Sequence, residues 1–544
     1  VTEPVEPGRT PAGPIEEGAD AAVDGAVATA ETGATEEAGE PAGAAGTATL
    51  RSRGADLVRW AVYVVASWVY LRPILITTIV ADDFVNPFNQ FTQSGTSVLE
   101  LVRDGWNGAR LAGHINFAGQ IIGGFVNTLS NVLMAEAGLR YSTIYAGLKL
   151  VALILAATAG AGFLWRAAAA MGRPIGVWRA RVSVSVLLFA TLQLHIAWSN
   201  DPVGSYPASG YASAAVGFLV LSLALDALRF DDARRAAIAG AVGALSVWYY
   251  EINVAAVFAV APMLVWWWFV RDANGARRWS RLGVHTALLV AAPVAAVLAS
   301  KILMAPAAGT YTGTQVAVSS GIVSSVGQGL VSTLPASAWT LSREWLHAPV
   351  SIWATPVVVM LVAAVGIVLA ARRWPMPPGT PSRLAGALFG ASAIAYMVGA
   401  TTVQSATQKV QDETPRIGYV YNYYAIGSTA LAVVVALAVL LAPRALNRSA
   451  VRVIASSVLI TVAAVQLLVN WNITVKFNAA TAPNRHLLVT YSEGRAVEER
   501  CQALWDWSAG GWPDYYELYM IDGLQDSYQY FHGEPFCPGF VRPP

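Results

Sequence analysis

The chain has 544 residues, of which 55% are hydrophobic and 13% charged. A soluble domain carries about 25% charged residues, so this composition is that of a membrane protein. The formal net charge of +1 leaves no basic face able to follow a nucleic-acid backbone. Cys501 and Cys537 are its only cysteines, which excludes a disulfide-dense scaffold and provides no metal-ligand spacing.

Residues 1–54 are dominated by Ala, Gly, Glu and Pro and read as a disordered acidic tail, because they have too little apolar surface to bury. No basic stretch followed by a short apolar run and a small-residue cleavage site is present, so no removable signal peptide is expected. The transmembrane part is expected over 55–478. Apolar stretches of about 17–25 residues, enough to cross a hydrocarbon core of about 30 Å, recur at 57–80, 141–165, 182–199, 211–228, 234–250, 252–270, 283–303, 351–371, 383–402, 424–442 and 451–471. The expected fold class is therefore an all-α polytopic membrane protein of about eleven transmembrane helices.

Arginines gather in alternate connections, at 166–181, 229–235, 277–281, 372–383 and 444–452, and flank the first span at 51–59. The positive-inside rule places these on the cytoplasmic side. The N-terminus is then cytoplasmic and, with an odd number of spans, the C-terminus lies outside. The first span ends at "VADDFVNPFNQF", residues 80–91, so Asp82 and Asp83 stand at its outer mouth. The following "SVLELVRDGWNGARLAGHI" and "FVNTLSNVLM" return apolar residues at helical spacing. That pattern predicts helices lying in the interface plane, serving as a brace or as a lid over a lipid-linked substrate.

These features resemble the GT-C superfamily of integral membrane glycosyltransferases. The shared traits are an acidic pair directly after the first span ("ADDF", 81–84), a long first outer loop with interfacial helices, many further spans and an outward C-terminal segment. The resemblance covers the architecture of residues 55–544. It implies transfer of a sugar from a polyprenyl-phosphate donor to a glycan or lipid-linked acceptor outside the cytoplasm. Asp82 would be the general base, with Asp83 orienting hydroxyls or helping to hold a divalent cation (Mg or Mn). The chemistry agrees: a hydroxyl acceptor needs a carboxylate within hydrogen-bond reach to take its proton, and two adjacent carboxylates disfavour double ionisation. The composition, rich in alanine and with four lysines, fits high-GC bacterial coding, for which arabinose or mannose would be natural sugars.

The remaining candidates follow in chain order. Arg72 lies inside the first span, where a charge points to function or to backbone carbonyls of neighbours. Lys149 and Lys301 are expected to snorkel to the interface. His195 and Asp201, in "LHIAWSNDPVGSY", mark the outer end of the third span; each is a sugar-binding candidate or a structural hydrogen bonder. Tyr250 and Glu251 sit at the turn "WYYEIN", where an acid pointing toward the same rim as Asp82 suits sugar or acceptor binding, or is simply part of a turn. A departing phosphate needs cations; "QKVQDETPRIGYVYNYY" offers Lys409 and Arg416, then Tyr423 among tyrosines that also suit an aromatic belt. Residues 479–544 are polar and aromatic and are expected to form a small extracytoplasmic domain closed by a Cys501–Cys537 disulfide. There Trp505, Trp507, Trp512, Tyr515 and Tyr516 suit either a glycan or a core.

Two other classes stay open. A transporter or lipid flippase would show internal repeats and midplane polar groups; no repeat is evident, though Arg72 and Lys149 fit it. An O-antigen-type polymerase or ligase would rest on arginines and a late outer loop. No Ser/His/Asp triad, Walker loop, dinucleotide fingerprint or zinc site occurs.

Overall fold

The computed structural model describes residues 42–77, 82–195, 201–270, 278–304, 316–317, 321–335, 337, 382–414, 417–442, 449–510 and 514–541. Among them there is no named strand, only an isolated antiparallel bridge between Val316 and Thr407. The protein is an all-α, multi-pass membrane protein. The described helices Tyr141–Ala170, Gly210–Phe230, Glu251–Phe269, Trp279–Leu303, Arg383–Ser405, Tyr423–Leu441 and Ala450–Ala480 are long and apolar enough to cross a bilayer. In hydrocarbon every backbone group must be satisfied within the chain, which is why the spans are helices.

The chain divides into two units, Val1–Val62 and Tyr63–Pro544. In the first, the described residues belong to helix α1 (Ala42–Leu75), with an exposed Arg59–Asp56 pair. The second begins within α1 and continues through α2 (Asp82–Ser94), α3 (Val98–Ala112), α4 (Phe117–Ala137), α5 (Tyr141–Ala170), α6 (Val177–Thr191), α7 (Gly210–Phe230) and α8 (Ala233–Tyr249). A 3₁₀ turn (Glu251–Asn253) leads into α9 (Val254–Phe258) and α10 (Ala261–Val270); α11 (Arg278–Thr286) passes through a π turn (Ala287–Ala291) into α12 (Ala292–Leu303). Then come α13 (Gly321–Ser332), α14 (Arg383–Ser405), α15 (Gln408–Glu413), α16 (Tyr423–Leu441), α17 (Ser449–Ala480), α18 (Ala482–Glu493), α19 (Val497–Ser508) and α20 (Asp514–His532).

Local sequence explains several boundaries. Ser97 accepts from the Glu100 amide at the start of α3, with the Ser-x-x-Glu spacing of a capping box, and Gly113 ends that helix at φ 69°. Asp232 caps α8 through the amides of Arg234 and Arg235. The bundle packs through small residues: Ala156, Ala157, Gly160 and Ala161 of α5 are buried, and the Gly160 face approaches Val433 of α16 and Val184 of α6. Phe163, Phe218, Leu221, Phe389 and Tyr396 fill the centre.

Two of the eleven expected spans end well short of their sequence boundaries, and a third forms within one residue of them. Around 57–80 the helix stops at Leu75. Over 182–199 it stops at Thr191 and the chain runs extended from Leu192. The stretch 234–250 is a 17-residue helix, α8. The expected span at 351–371 lies outside the described residues.

A second core joins α2, α4, the start of α5 and α18 to α20: Phe84, Phe88, Met134, Tyr141, Tyr145, Tyr491, Trp507, Leu524 and Tyr528 pack together. The C-terminal segment, read from sequence as a domain of its own, shares this core with the first loop. The reason is size, since a segment this short buries too little surface alone. Gly523 lets α20 approach the backbone of Phe88, where a Cβ would come within 2.6 Å. Cys501 and Cys537 are joined, with Cα atoms 4.9 Å apart.

Candidate functional site

Hydrogen bonds tie one set of helix ends together: the end of α1, the starts of α2 and α5, the segment after α6, and the ends of α8, α12, α14 and α17. The arginine-rich connections are tied elsewhere, through Arg166 to Asp226 (2.5 Å), Arg173 to the Leu440 carbonyl, and Asp231 to Arg281 and His285.

Where α1 stops, its last carbonyls lack the usual helical donors, and Thr77 meets two of them, its hydroxyl donating to Pro73 at 3.1 Å and its amide to Ile74 at 3.3 Å. Side chains from two other helices supply further donors. Thr474 of α17 donates to the Pro73 carbonyl at 2.8 Å and Asn478 to that of Ile76 at 3.1 Å. Lys149 of α5 donates to those of Ile74 and Thr77, at 3.4 and 3.2 Å. Lys149 is 1% exposed, so the expected snorkelling does not occur: the ammonium is turned inward to a carbonyl-rich helix end that favours a cation.

Asp82 begins α2, and its side chain lies outside the described part. Asp83, partly buried, is described in full. Its Oδ2 accepts from the Tyr145 hydroxyl and from the Tyr206 amide, and its carbonyl accepts from the Tyr141 hydroxyl at 2.8 Å. Tyr206 has φ 52°, a left-handed conformation that costs a non-glycine residue about 1–2 kcal/mol. That strained turn aims its amide at Asp83. Tyr145 and Lys149 adjoin, with the ammonium 4.9 Å from the ring centre, and Lys149 lies in the field of both Asp83 and Asp201. Sequence reading passed over Tyr141 and Tyr145. The signal was there, as Tyr141, Tyr145 and Lys149 recur every four residues on one face of an apolar helix.

His195 and Asp201 are brought together and fully buried. Asp201 accepts from the amides of His195 (2.8 Å) and Val203 (3.0 Å), and its Oδ1 lies 3.4 Å from His195 Nδ1. The extended stretch after α6 is satisfied by side chains: the Gln193 amide donates to the Tyr424 hydroxyl at 3.0 Å, the Leu194 amide to Asn470 Oδ1 at 2.8 Å, and Asn470 Nδ2 to the Leu192 carbonyl at 2.8 Å. Asp201 thus serves the protein's own backbone, while the His195 ring sits edge-on to Tyr424 with its Nε2 3.3 Å from the Gln193 side-chain amide nitrogen.

Glu251 grips the first loop. One oxygen accepts from the Ile115 amide at 2.5 Å and the other pairs with His114 Nδ1 at 3.2 Å. Lys301 of α12 donates to the Gly113 carbonyl at 2.8 Å and lies 4.0 Å from Glu251. The acid anchors the turn between α3 and α4, and Lys301 reinforces it. Next to it the Tyr250 hydroxyl accepts from Gln404 (2.9 Å) and Asn422 (2.8 Å), and Gln404 accepts from the Tyr423 amide at 2.7 Å. The Tyr423 side chain is buried and donates to the Tyr419 carbonyl at 3.4 Å. Lys409 lies 3.9 Å from Glu413 one helical turn on. Arg416 and Trp512 lie outside the described residues, as do the side chains of Tyr515 and Tyr516. Arg72 is exposed in the last turn of α1.

The two tryptophans divide. Trp507 is fully buried, donates to Asn484 at 3.0 Å and packs on Phe84, so it belongs to the core and offers no face to a glycan. Trp505 is 45% exposed beside Phe540.

Asp83 Oδ2 is taken up by N–H and O–H donors of the protein itself. Among the described residues no group of three or more His, Cys, Asp or Glu converges. Comparisons of the chain with known protein families, curated proteins and solved structures returned no match.

Proposed function

We propose that this chain is a GT-C-type glycosyltransferase of the cell membrane, with the N-terminus cytoplasmic, the C-terminus outside and about eleven spans. It transfers a sugar, arabinose or mannose, from a polyprenyl-phosphate donor to a glycan or lipid-linked acceptor at the outer face. The reading is carried by one observation: an acidic pair opens the helix that follows the first hydrophobic helix, and Asp83 is bound there by Tyr145 and Tyr206. With Asp83 engaged by the protein, the base role falls to Asp82.

In the reaction, the acceptor oxygen attacks the anomeric carbon while its proton passes to the Asp82 carboxylate. The bond from that carbon to the phosphate oxygen breaks with inversion, and polyprenyl phosphate departs. Arg416 and Lys409 offset its charge. The body formed by α2 to α4 and α18 to α20 stands beside the pair and suits acceptor binding, with Trp505 as its exposed aromatic.

The test is transfer of radiolabelled sugar from synthetic polyprenyl-phosphate mannose and arabinose by purified protein. Asp82→Asn is expected to lower kcat about 10²- to 10⁴-fold, the range of general-base contributions. A folded Asp82→Asn protein working at the wild-type rate would refute the assignment.

A further inference from the structure

Two residues of α5 hold both flanks of the junction between α1 and α2. Lys149 binds the carbonyls of Ile74 and Thr77, the last groups described before the junction. Tyr145, one turn earlier, binds the Asp83 carboxylate just after it. Both are buried, as is Tyr141, which binds the Asp83 carbonyl. The left-handed Tyr206 delivers its amide to the same carboxylate oxygen. A buried lysine on a membrane helix is costly enough that its placement calls for a reason beyond packing, and capping α1 accounts for only one side of this arrangement.

We propose that Tyr145 and Lys149 form a positioning clamp for the acidic pair. Neither touches substrate; Lys149 holds the end of α1 and Tyr145 the start of α2, so that α5 fixes where the helix opening with Asp82 begins. The clamp rests on the reading of Asp82 as the base and extends it, since a base displaced by about 1 Å can lose about 10²-fold in rate.

Tyr145→Phe removes one hydroxyl and keeps the ring. In full-length protein in lipid nanodiscs, with polyprenyl-phosphate mannose and arabinose as donors, it is expected to lower kcat about 10- to 100-fold, with the donor KM within about twofold. In an Asp82→Asn background it is expected to cause no further loss, because the clamp acts through that carboxylate. Equal losses in both backgrounds, or a rise in KM alone, would overturn the proposal. Lys149→Met should follow the same pattern, but Tyr145→Phe decides the matter if the buried-charge variant fails to fold. If the wild type transfers neither sugar, the glycosyltransferase reading fails and the clamp is judged by hydrogen exchange. Tyr145→Phe should then speed exchange of the α2 amides at least tenfold, with α14 as the unchanged reference. Unaltered exchange in α2 would overturn the clamp whatever the protein's activity.

Discussion

Asn470→Ala removes the side chain that bridges the break after α6. Asn470 is buried, donates to the Leu192 carbonyl, accepts from the Leu194 amide, and accepts from Gln466 at 3.1 Å. The substitution leaves two buried backbone groups without partners, at about 1–3 kcal/mol each. Side-chain hydrogen bonds within membranes average only about 0.6 kcal/mol, because polar groups find other partners once helices separate. Here the orphaned groups belong to an extended stretch enclosed by protein, where no helical carbonyl or amide can replace Asn470. The larger figure therefore governs, and a loss of about 3 kcal/mol is expected. The assay is detergent-driven unfolding in mixed micelles followed by tryptophan fluorescence. Thr461→Ala on the same helix serves as control, because that exposed hydroxyl bonds only to the Ser457 carbonyl within its own helix. Equal unfolding free energies for the Asn470 variant and the control would refute the argument that side chains replace the missing helical bonds.

Other outcomes follow from single placements. A Cβ on Gly240 of α8 would lie 2.0 Å from the Leu288 carbonyl in the π turn, so Gly240→Ala should cost about 1–3 kcal/mol, whereas Gly283→Ala, with open space around it, should be neutral in the same unfolding assay. The Cys501–Cys537 bridge spans 36 residues, so chain entropy gives it about 4 kcal/mol; reduction should lower the unfolding midpoint, and thiol labelling before reduction should find neither cysteine. Glu493 is held below the usual carboxylate range by Arg495, with Arg140 adding to the effect. Its folded form therefore takes up a proton at lower pH than the unfolded one, so its contribution is complete above about pH 4.3 and fades as pH falls through the lower folded value. The stability advantage over Glu493→Gln should shrink below about pH 4, and an advantage constant into acid would refute it.

Seven of the expected spans were legible in the sequence because burial in lipid demands long uninterrupted apolar runs, and these leave the same mark whatever they pack against. The acidic pair at 82–83 was legible for a like reason, being local. Other polar residues were visible without their purpose. Gln466, Asn470, Thr474 and Asn478 stand at four-residue intervals along α17, a stripe that any helical projection would show. Yet nothing near them in the chain reveals that Asn470, Thr474 and Asn478 satisfy the broken ends of α1 and α6, hundreds of residues earlier. Glu251 stands in the sequence only as an acid at a turn, and the structure bonds it to residues 114 and 115, far from it in the chain.

The sequence by itself determined the membrane class, the positions of the apolar helices and the placement of an acidic pair directly after the first of them. Only tertiary structure decided that Lys149 turns inward, that Asp83 is bound between Tyr145 and Tyr206, and that the C-terminal helices complete the core of the first loop. The physical reason is the reach of each interaction. Hydrophobic transfer into lipid is summed residue by residue along the chain, whereas a buried polar group is satisfied by whichever partner the packing brings within about 3 Å, and that partner carries no mark of the pairing in its own neighbourhood.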